Sequence, residues 1–206
     1  ASDVYKRQAV WARQKLINDV AQKAFEYAIT KDGFGEENAK AIGERALSND
    51  EVKQRSELVN QIKLKGFEQV MEEVAYTWFN RFIALRYMEV NGFLSSRIRV
   101  FTNENNEFKP EILKEAINID FECIDKSKVF ELIDSNDTDA LYKYLIISQC
   151  NDLGKLLPGM FEKIANYTEL LFPDNLLRPD SVIGKMISDI DESDWGEQVE
   201  ILGCLY

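Results

Sequence analysis

The sequence predicts a mostly α-helical fold: a multi-helix domain with one short β-hairpin near residues 97–108. Two observations carry this expectation. Long segments repeat apolar residues at spacings of three and four, the period of a helix face, while alternating runs are short. Several of those segments also begin on Ser, Asp or Asn and stop at Gly or Pro, which are helix boundary signals.

Val10, Leu16, Ile17, Val20, Ala24, Phe25 and Ala28 mark a first amphipathic helix over residues 10–30. Asp32-Gly33-Phe34-Gly35 breaks it, glycine being suited to a left-handed cap. A weaker helix is expected over Glu36–Leu47. Ser48 and Glu51 have capping-box spacing and open a helix to about Lys65, with Val52, Leu58, Val59 and Ile62 facing inward.

After Gly66 comes the densest apolar segment. Phe67, Val70, Met71, Val74, Ala75, Trp78, Phe82 and Leu85 follow at helical spacing, and Phe79, Ile83 and Ala84 widen the face. A helix that is apolar around most of its circumference is packed on several sides. Asn91-Gly92 ends it. Arg97–Phe101 alternates and reads as a strand, with Asn105-Asn106 turning the hairpin. Pro110 opens a helix over Glu111–Asn118. Further helices are expected over Lys126–Ile133, Ala140–Leu153 and Met160–Tyr167. Leu170–Pro179 is a loop between two prolines. Asp180-Ser181 starts a helix to Ile190, Asp191–Asp194 forms an acidic turn, and a last helix runs over Trp195–Tyr206.

Composition excludes several chemistries. The 206 residues include no histidine, which removes Ser-His-Asp and Cys-His nucleophiles, histidine bases and histidine metal ligands. Cys123, Cys150 and Cys204 are widely spaced. They read as small buried hydrophobes in a reducing compartment. No apolar run approaches the roughly 18 residues of a membrane helix, and no secretory signal is visible.

The net charge of −11 is unevenly spread. Residues 1–60 carry 10 basic and 10 acidic side chains, residues 61–100 carry 6 and 4, and residues 101–206 carry 9 and 22. An acidic back half repels phosphate, so any grip on nucleic acid falls to the middle of the chain.

Motifs for chemistry are few. Asp189, Asp191, Ser193 and Glu200 fall at positions 1, 3, 5 and 12 of a calcium loop. Position 6 is Asp194 rather than glycine, so helix capping is the better account and no metal site is assigned. Neither G-x-G-x-x-G nor a P-loop occurs. The prolines (Pro110, Pro158, Pro173 and Pro179) are never adjacent, so the Pro-Pro of amino-methyltransferase loops is missing. No catalytic and no cofactor-binding residue is assigned. Arg97 and Arg99 would share one face of a strand and are the candidate DNA contacts, against a plain reading as a solvated surface pair. Arg81 and Arg86 in the apolar helix are read as structural ties to a carboxylate, a carbonyl or an aromatic ring, with Trp78 and Trp195 as structural packing groups.

Three stretches together carry a family resemblance: AYTWFNRFIALRYMEVNGFL (Ala75–Leu94), LLFPDNLLRPDSVIGKMISDI (Leu170–Ile190) and DWGEQVEILGCLY (Asp194–Tyr206). In order and rough spacing they resemble the N-terminal region of PglX, the large adenine-specific DNA methyltransferase family of bacterial BREX phage-defence systems. The resemblance covers residues 9–206. It implies a non-catalytic N-terminal domain that scaffolds a downstream methyltransferase core. S-adenosylmethionine would then be used elsewhere in the parent protein, with double-stranded DNA and other BREX proteins as its partners. Where the family phrase ILG-x-LY calls for tryptophan, this chain has Cys204. A stand-alone helical interaction module with no enzymatic parent is the competing reading. At the front, DVYKRQ (Asp3–Gln8) resembles the translated end of a transposon used to prepare sequencing libraries. On that reading residues 1–8 are a scar and the domain spans 9–206, with a sub-boundary at 102–109.

Overall fold

In the computed structural model, residues 2–163 and 166–196 are described. They are mostly α-helical with one short antiparallel hairpin, the expected fold class. The chain divides into two compact units. The first draws on Ala1–Ala12, Asn80–Lys163 and Asn175–Tyr206, the second on Arg13–Phe79 and Ile164–Asp174. Residues 102–109 lie inside the first unit. No described helix is long and apolar enough to cross a membrane.

Helix α1 runs over Ser2–Glu26, so it includes residues 2–8. Its second-unit portion buries Leu16, Val20 and Ala24 at four-residue spacing, whereas Phe25 is exposed. The helix stops before the expected residue 30. Ala28 adopts φ 57°, in the left-handed region, and the Ala24 carbonyl accepts from both Tyr27 and Ile29 N–H at 3.0 Å.

The helix expected over Glu36–Leu47 is instead a hairpin of β1 (Ala41–Ile42) and β2 (Arg45–Ala46), paired Ala41 with Ala46 and Ile42 with Arg45. Gly43, at φ 59°, opens the two-residue turn, and a positive φ there is what the tight hairpin turns demand. The path between α1 and the hairpin is fixed by Arg55. This buried side chain donates from Nε to the Tyr27 carbonyl at 2.8 Å, from Nη1 to Glu36 at 2.6 Å and from Nη2 to Phe34 at 2.5 Å. Three carbonyls that a helix would have satisfied internally are met by one guanidinium.

Helix α2 (Asn49–Lys65) starts on the predicted capping box. Ser48 Oγ accepts from Glu51 N–H, and Glu51 Oε1 accepts from Ser48 N–H, both at 3.1 Å. Leu58 and Val59 are buried, and Gly66 at φ 89° closes the helix. Helix α3 (Phe67–Val90) is shared between the units. Its second-unit part buries Val70, Met71, Val74, Ala75, Trp78 and Phe79. Its first-unit part buries Phe82, Ile83, Ala84, Leu85 and Met88. Not every ring of the aromatic segment is core: Tyr76 is 48% and Phe93 58% exposed.

In the first unit the chain continues through α4 (Glu111–Lys114) and a 3-10 turn at Ala116–Asn118, then α5 (Lys126–Asp134) and α6 (Thr138–Leu156). Asp125 caps α5 through Ser127 N–H, and Asp137 caps α6 through Ala140 N–H. Helix α6 buries Leu141, Tyr142, Leu145, Ile146 and Leu153. The expected helix over Met160–Tyr167 does not form as such. Met160–Lys163 is turn and coil, and α7 spans Asn166–Leu170 in the second unit. Helix α8 (Val182–Asp189) is capped by Ser181, whose hydroxyl accepts from Gly184 N–H and donates to the Leu176 carbonyl at 2.6 Å. Helix α9 (Glu192–Gly196) begins inside the predicted acidic turn. The rest of the expected last helix, with Cys204, lies outside the described residues.

Candidate functional site

The segment expected to form a hairpin, 97–108, contains no strand. Arg97 adopts φ 55°, which interrupts any alternation of faces. The backbone of Arg99–Thr102 then finds partners that are not a second strand. Glu89, near the end of α3, accepts from Val100 N–H at 2.6 Å and from Phe101 N–H at 2.9 Å, both at Oε2. The Val100 carbonyl accepts from Tyr142 Oη at 2.8 Å. Arg99 N–H donates to Glu111 Oε2, the Arg99 carbonyl accepts from Ile112 N–H, and the Thr102 carbonyl accepts from Glu111 N–H. A carboxylate, a phenol and the start of α4 do the work of a partner strand.

Arg86 completes this cluster. It is fully buried, and Nη1 lies 2.8 Å from Glu89 Oε1 and 3.2 Å from Thr102 Oγ1. Nη2 donates to Asn106 Oδ1 at 2.6 Å. Burial pushes the Glu89 carboxyl above its ordinary range, against the Arg86 charge and the two backbone N–H groups, which pull it down. Burial likewise holds the Tyr142 phenol well above its ordinary value, and the Glu89 charge adds to this. Phe82 meets Phe101 edge-on at 6.2 Å and seals the apolar side.

The candidate DNA contacts separate at this loop. Arg97 is exposed and forms no side-chain hydrogen bond or ion pair among the described residues. Arg99 is half-buried. It reaches Glu192 Oε1 at 2.5 Å and Thr102 Oγ1 at 2.9 Å, so its charge is engaged inside the unit. Next to them, Asn103 Oδ1 accepts from Asn105 and Glu107 N–H and closes the loop tip.

The other singled-out residues lie elsewhere. Arg81 donates to the carbonyls of Met160 at 3.0 Å and Glu162 at 2.6 Å, and its guanidinium stands 5.5 Å from the Phe161 ring centroid. Trp78, in the second unit, donates to the Thr168 carbonyl at 3.0 Å and meets Phe172 edge-on at 4.7 Å. Trp195 is buried in the first unit, where its carbonyl accepts from Asn91 Nδ2 at 3.2 Å.

Glu89, Thr102, Asn106 and Arg55 were not foreseen. For Glu89 a signal exists: it stands three residues after Arg86 in an apolar helix, the spacing of an intrahelical pair. Arg55 looks like any surface arginine of an amphipathic helix, and only the path of residues 27–37 reveals its role.

Among the described residues no cluster of acidic or cysteine side chains is arranged to hold a metal ion. Of the calcium-loop candidates, the Asp189 carbonyl accepts from Gln8 and the Asp194 carboxylate from Tyr5, while Glu200 lies outside the described residues. S-adenosylmethionine, which the family resemblance implies for the parent, does not fit what is present. Open α/β sheets hold such ligands at the carboxyl ends of parallel strands, and the described strands are two residues each and antiparallel.

No family model matches the chain. Over 213 residues it is 35% identical to the "Adenine-specific methyltransferase BrxX" of Escherichia coli O9:H4 (strain HS), covering 98% of this chain and 18% of that protein. Over 229 residues it is 36% identical to the "Adenine-specific methyltransferase PglX" of Lacticaseibacillus casei (strain Zhang), covering 98% of this chain and 19% of that protein. The chain thus spans about a fifth of the length of the curated relatives it matches. Identity at this level over nearly the whole chain is a statement of common descent: the chain is homologous to a region that makes up about a fifth of the BrxX and PglX adenine-specific methyltransferases.

Proposed function

We propose that this chain is the non-catalytic N-terminal region of a DNA adenine-N6 methyltransferase of a BREX-type phage-defence system, and that it scaffolds the methyltransferase core. The observation that carries the reading is the 35–36% identity across 98% of the chain to proteins named as adenine-specific methyltransferases. It is joined by the sequence itself, in which no two prolines are adjacent and no glycine-rich nucleotide motif occurs. Transfer of the methyl group from S-adenosylmethionine to adenine then belongs to a part of the polypeptide outside residues 1–206, and the setting is the bacterial cytoplasm. A scaffolding role suits Arg55 and Arg81, whose guanidinium groups hold backbone carbonyls, and Arg86, which pairs with the buried Glu89.

The test is to read the source DNA in frame past the Tyr206 codon. A glycine-rich methyl-donor motif followed by an Asn-Pro-Pro-Tyr-like tetrapeptide is the expected result. A stop codon directly after Tyr206 would leave a stand-alone helical module and overturn the reading.

One observation favours a second role, direct contact with DNA. Arg97 is exposed on a loop whose backbone is held by Glu89 and Tyr142 and whose Asn106 side chain is held by Arg86, and a positioned loop is where recognition residues commonly sit. In the intact protein, Arg97→Ala should weaken DNA binding at low salt and reduce the salt slope by about one contact. Unchanged affinity and slope remove the idea.

A further inference from the structure

Helix α6 ends in a turn whose apolar side chains face water. Leu156 is 67%, Leu157 37% and Met160 51% exposed, with Pro158 and Gly159 exposed between them. Singly exposed apolar residues are ordinary, whereas a consecutive run of them marks an interaction surface. The flanks are polar: Lys155 pairs with Glu122 on one side, and Glu162 and Lys163 are exposed on the other. An apolar centre with a charged rim is the make-up of a protein interface.

The turn is also held in shape. Leu157 N–H donates to the Leu153 carbonyl at 2.8 Å, and the Leu157 carbonyl accepts from Met160 and Phe161 N–H at 3.1 and 3.0 Å. Beneath it Phe161 is buried, and Arg81 reaches up to the carbonyls on either side of it, those of Met160 and Glu162. Gly154 permits the close seat of the turn on α6, since a Cβ there would lie 2.4 Å from the Phe161 carbonyl oxygen. A desolvated guanidinium is therefore committed to the backbone of a turn whose own side chains remain in water. That expense is out of place for a solvated loop and fits a preorganised contact.

We infer that the Leu156–Met160 knuckle is where the remainder of the methyltransferase polypeptide docks, seating Leu156, Leu157 and Met160 in an apolar recess of that portion. The occupant follows from length. The chain accounts for only 18% and 19% of its relatives, and a covalently linked partner is present at high effective concentration without any separate binding step. The inference rests on the proposed function above.

The four methionines provide an internal ruler for a test on the intact, full-length protein. Met71 and Met88 are 1% and 5% exposed, Met186 is half-buried and Met160 is 51% exposed. Brief oxidation of the folded protein, read residue by residue by mass spectrometry, should then rank Met160 below Met186 and close to Met71 and Met88. Oxidation of Met160 at or above the rate of Met186 overturns the inference while leaving the methyltransferase reading intact. Protection that disappears on dilution assigns the knuckle to a second copy of the chain and likewise overturns it. If the reading frame carries no methyltransferase beyond Tyr206, the proposed function fails first, and that outcome is seen in the DNA sequence rather than in the oxidation pattern. No substituted variant is needed, so a folding defect cannot imitate any of these results.

Discussion

Replacing Glu89 by glutamine keeps the shape of the side chain and removes its charge. The native carboxylate accepts from Arg86 at one oxygen and from the Val100 and Phe101 N–H groups at the other. A glutamine amide must turn its NH2 toward one of these sides, setting donor against donor in either orientation. Arg86 would also be left fully buried without its counter-charge. Breaking one partner of a buried pair costs about 3–5 kcal/mol, and Thr102 and Asn106, which remain on Arg86, place the expected loss at the lower end. With a urea slope of ~2 kcal/mol per molar, the unfolding midpoint should fall by about 1.5 M. The assay is urea unfolding followed by circular dichroism, with hydrogen exchange at the Val100 and Phe101 amides as the local readout. Adding Arg86→Met to Glu89→Gln should recover part of the loss, because it removes the stranded charge. The coupling in that cycle should be about 1–3 kcal/mol. A loss below about 1 kcal/mol, or strictly additive single and double variants, would refute the description of Arg86 and Glu89 as buried partners.

Two further outcomes are expected in the second unit. Arg55→Met leaves the carbonyls of Tyr27, Phe34 and Glu36 without their donor, so thermal unfolding should show a loss of about 3 kcal/mol or more. Arg55→Lys should restore only part of it, since one ammonium cannot span three carbonyls, and full rescue by lysine would count against the hub. The second outcome concerns acid stability. Burial pushes the Glu51 carboxyl up, but the Ser48 N–H, the Tyr27 hydroxyl and Arg45 outweigh it and hold Glu51 below its ordinary value of 4.5. The unfolded chain therefore binds the proton more readily than the folded one. The stabilisation is complete above the ordinary value and is lost as pH falls through the depressed folded value. Unfolding midpoints measured against pH should show a shallower acid loss in Glu51→Gln than in the native chain, and identical profiles would refute the assignment.

What could be read from the sequence was local. The Ser48/Glu51 capping box, the Ser181 cap and the apolar periodicity of α3 are each written within a few residues, and the helices they mark stand where expected. The failures share one cause: the deciding partner is distant in sequence. Residues 36–47 have enough helical character to mislead, but Gly43 allows a tight turn and Arg55 takes up the preceding carbonyls. Residues 97–101 alternate like a strand, yet their N–H groups meet a carboxylate from the preceding helix. Arg97 and Arg99 looked equivalent, and it was Glu192, far along the chain, that engaged only one of them.

The Arg55 hub has an implication for how this region can vary. A guanidinium that grips carbonyl oxygens reads the course of the main chain and is indifferent to which side chains it carries. Substitutions at Phe34 and Glu36 should then accumulate among relatives with little effect on the route taken, while position 55 stays arginine. The part of the segment that looks most like a specified loop would be the freest to change, and its constraint would be stored in a helix residue some twenty positions away.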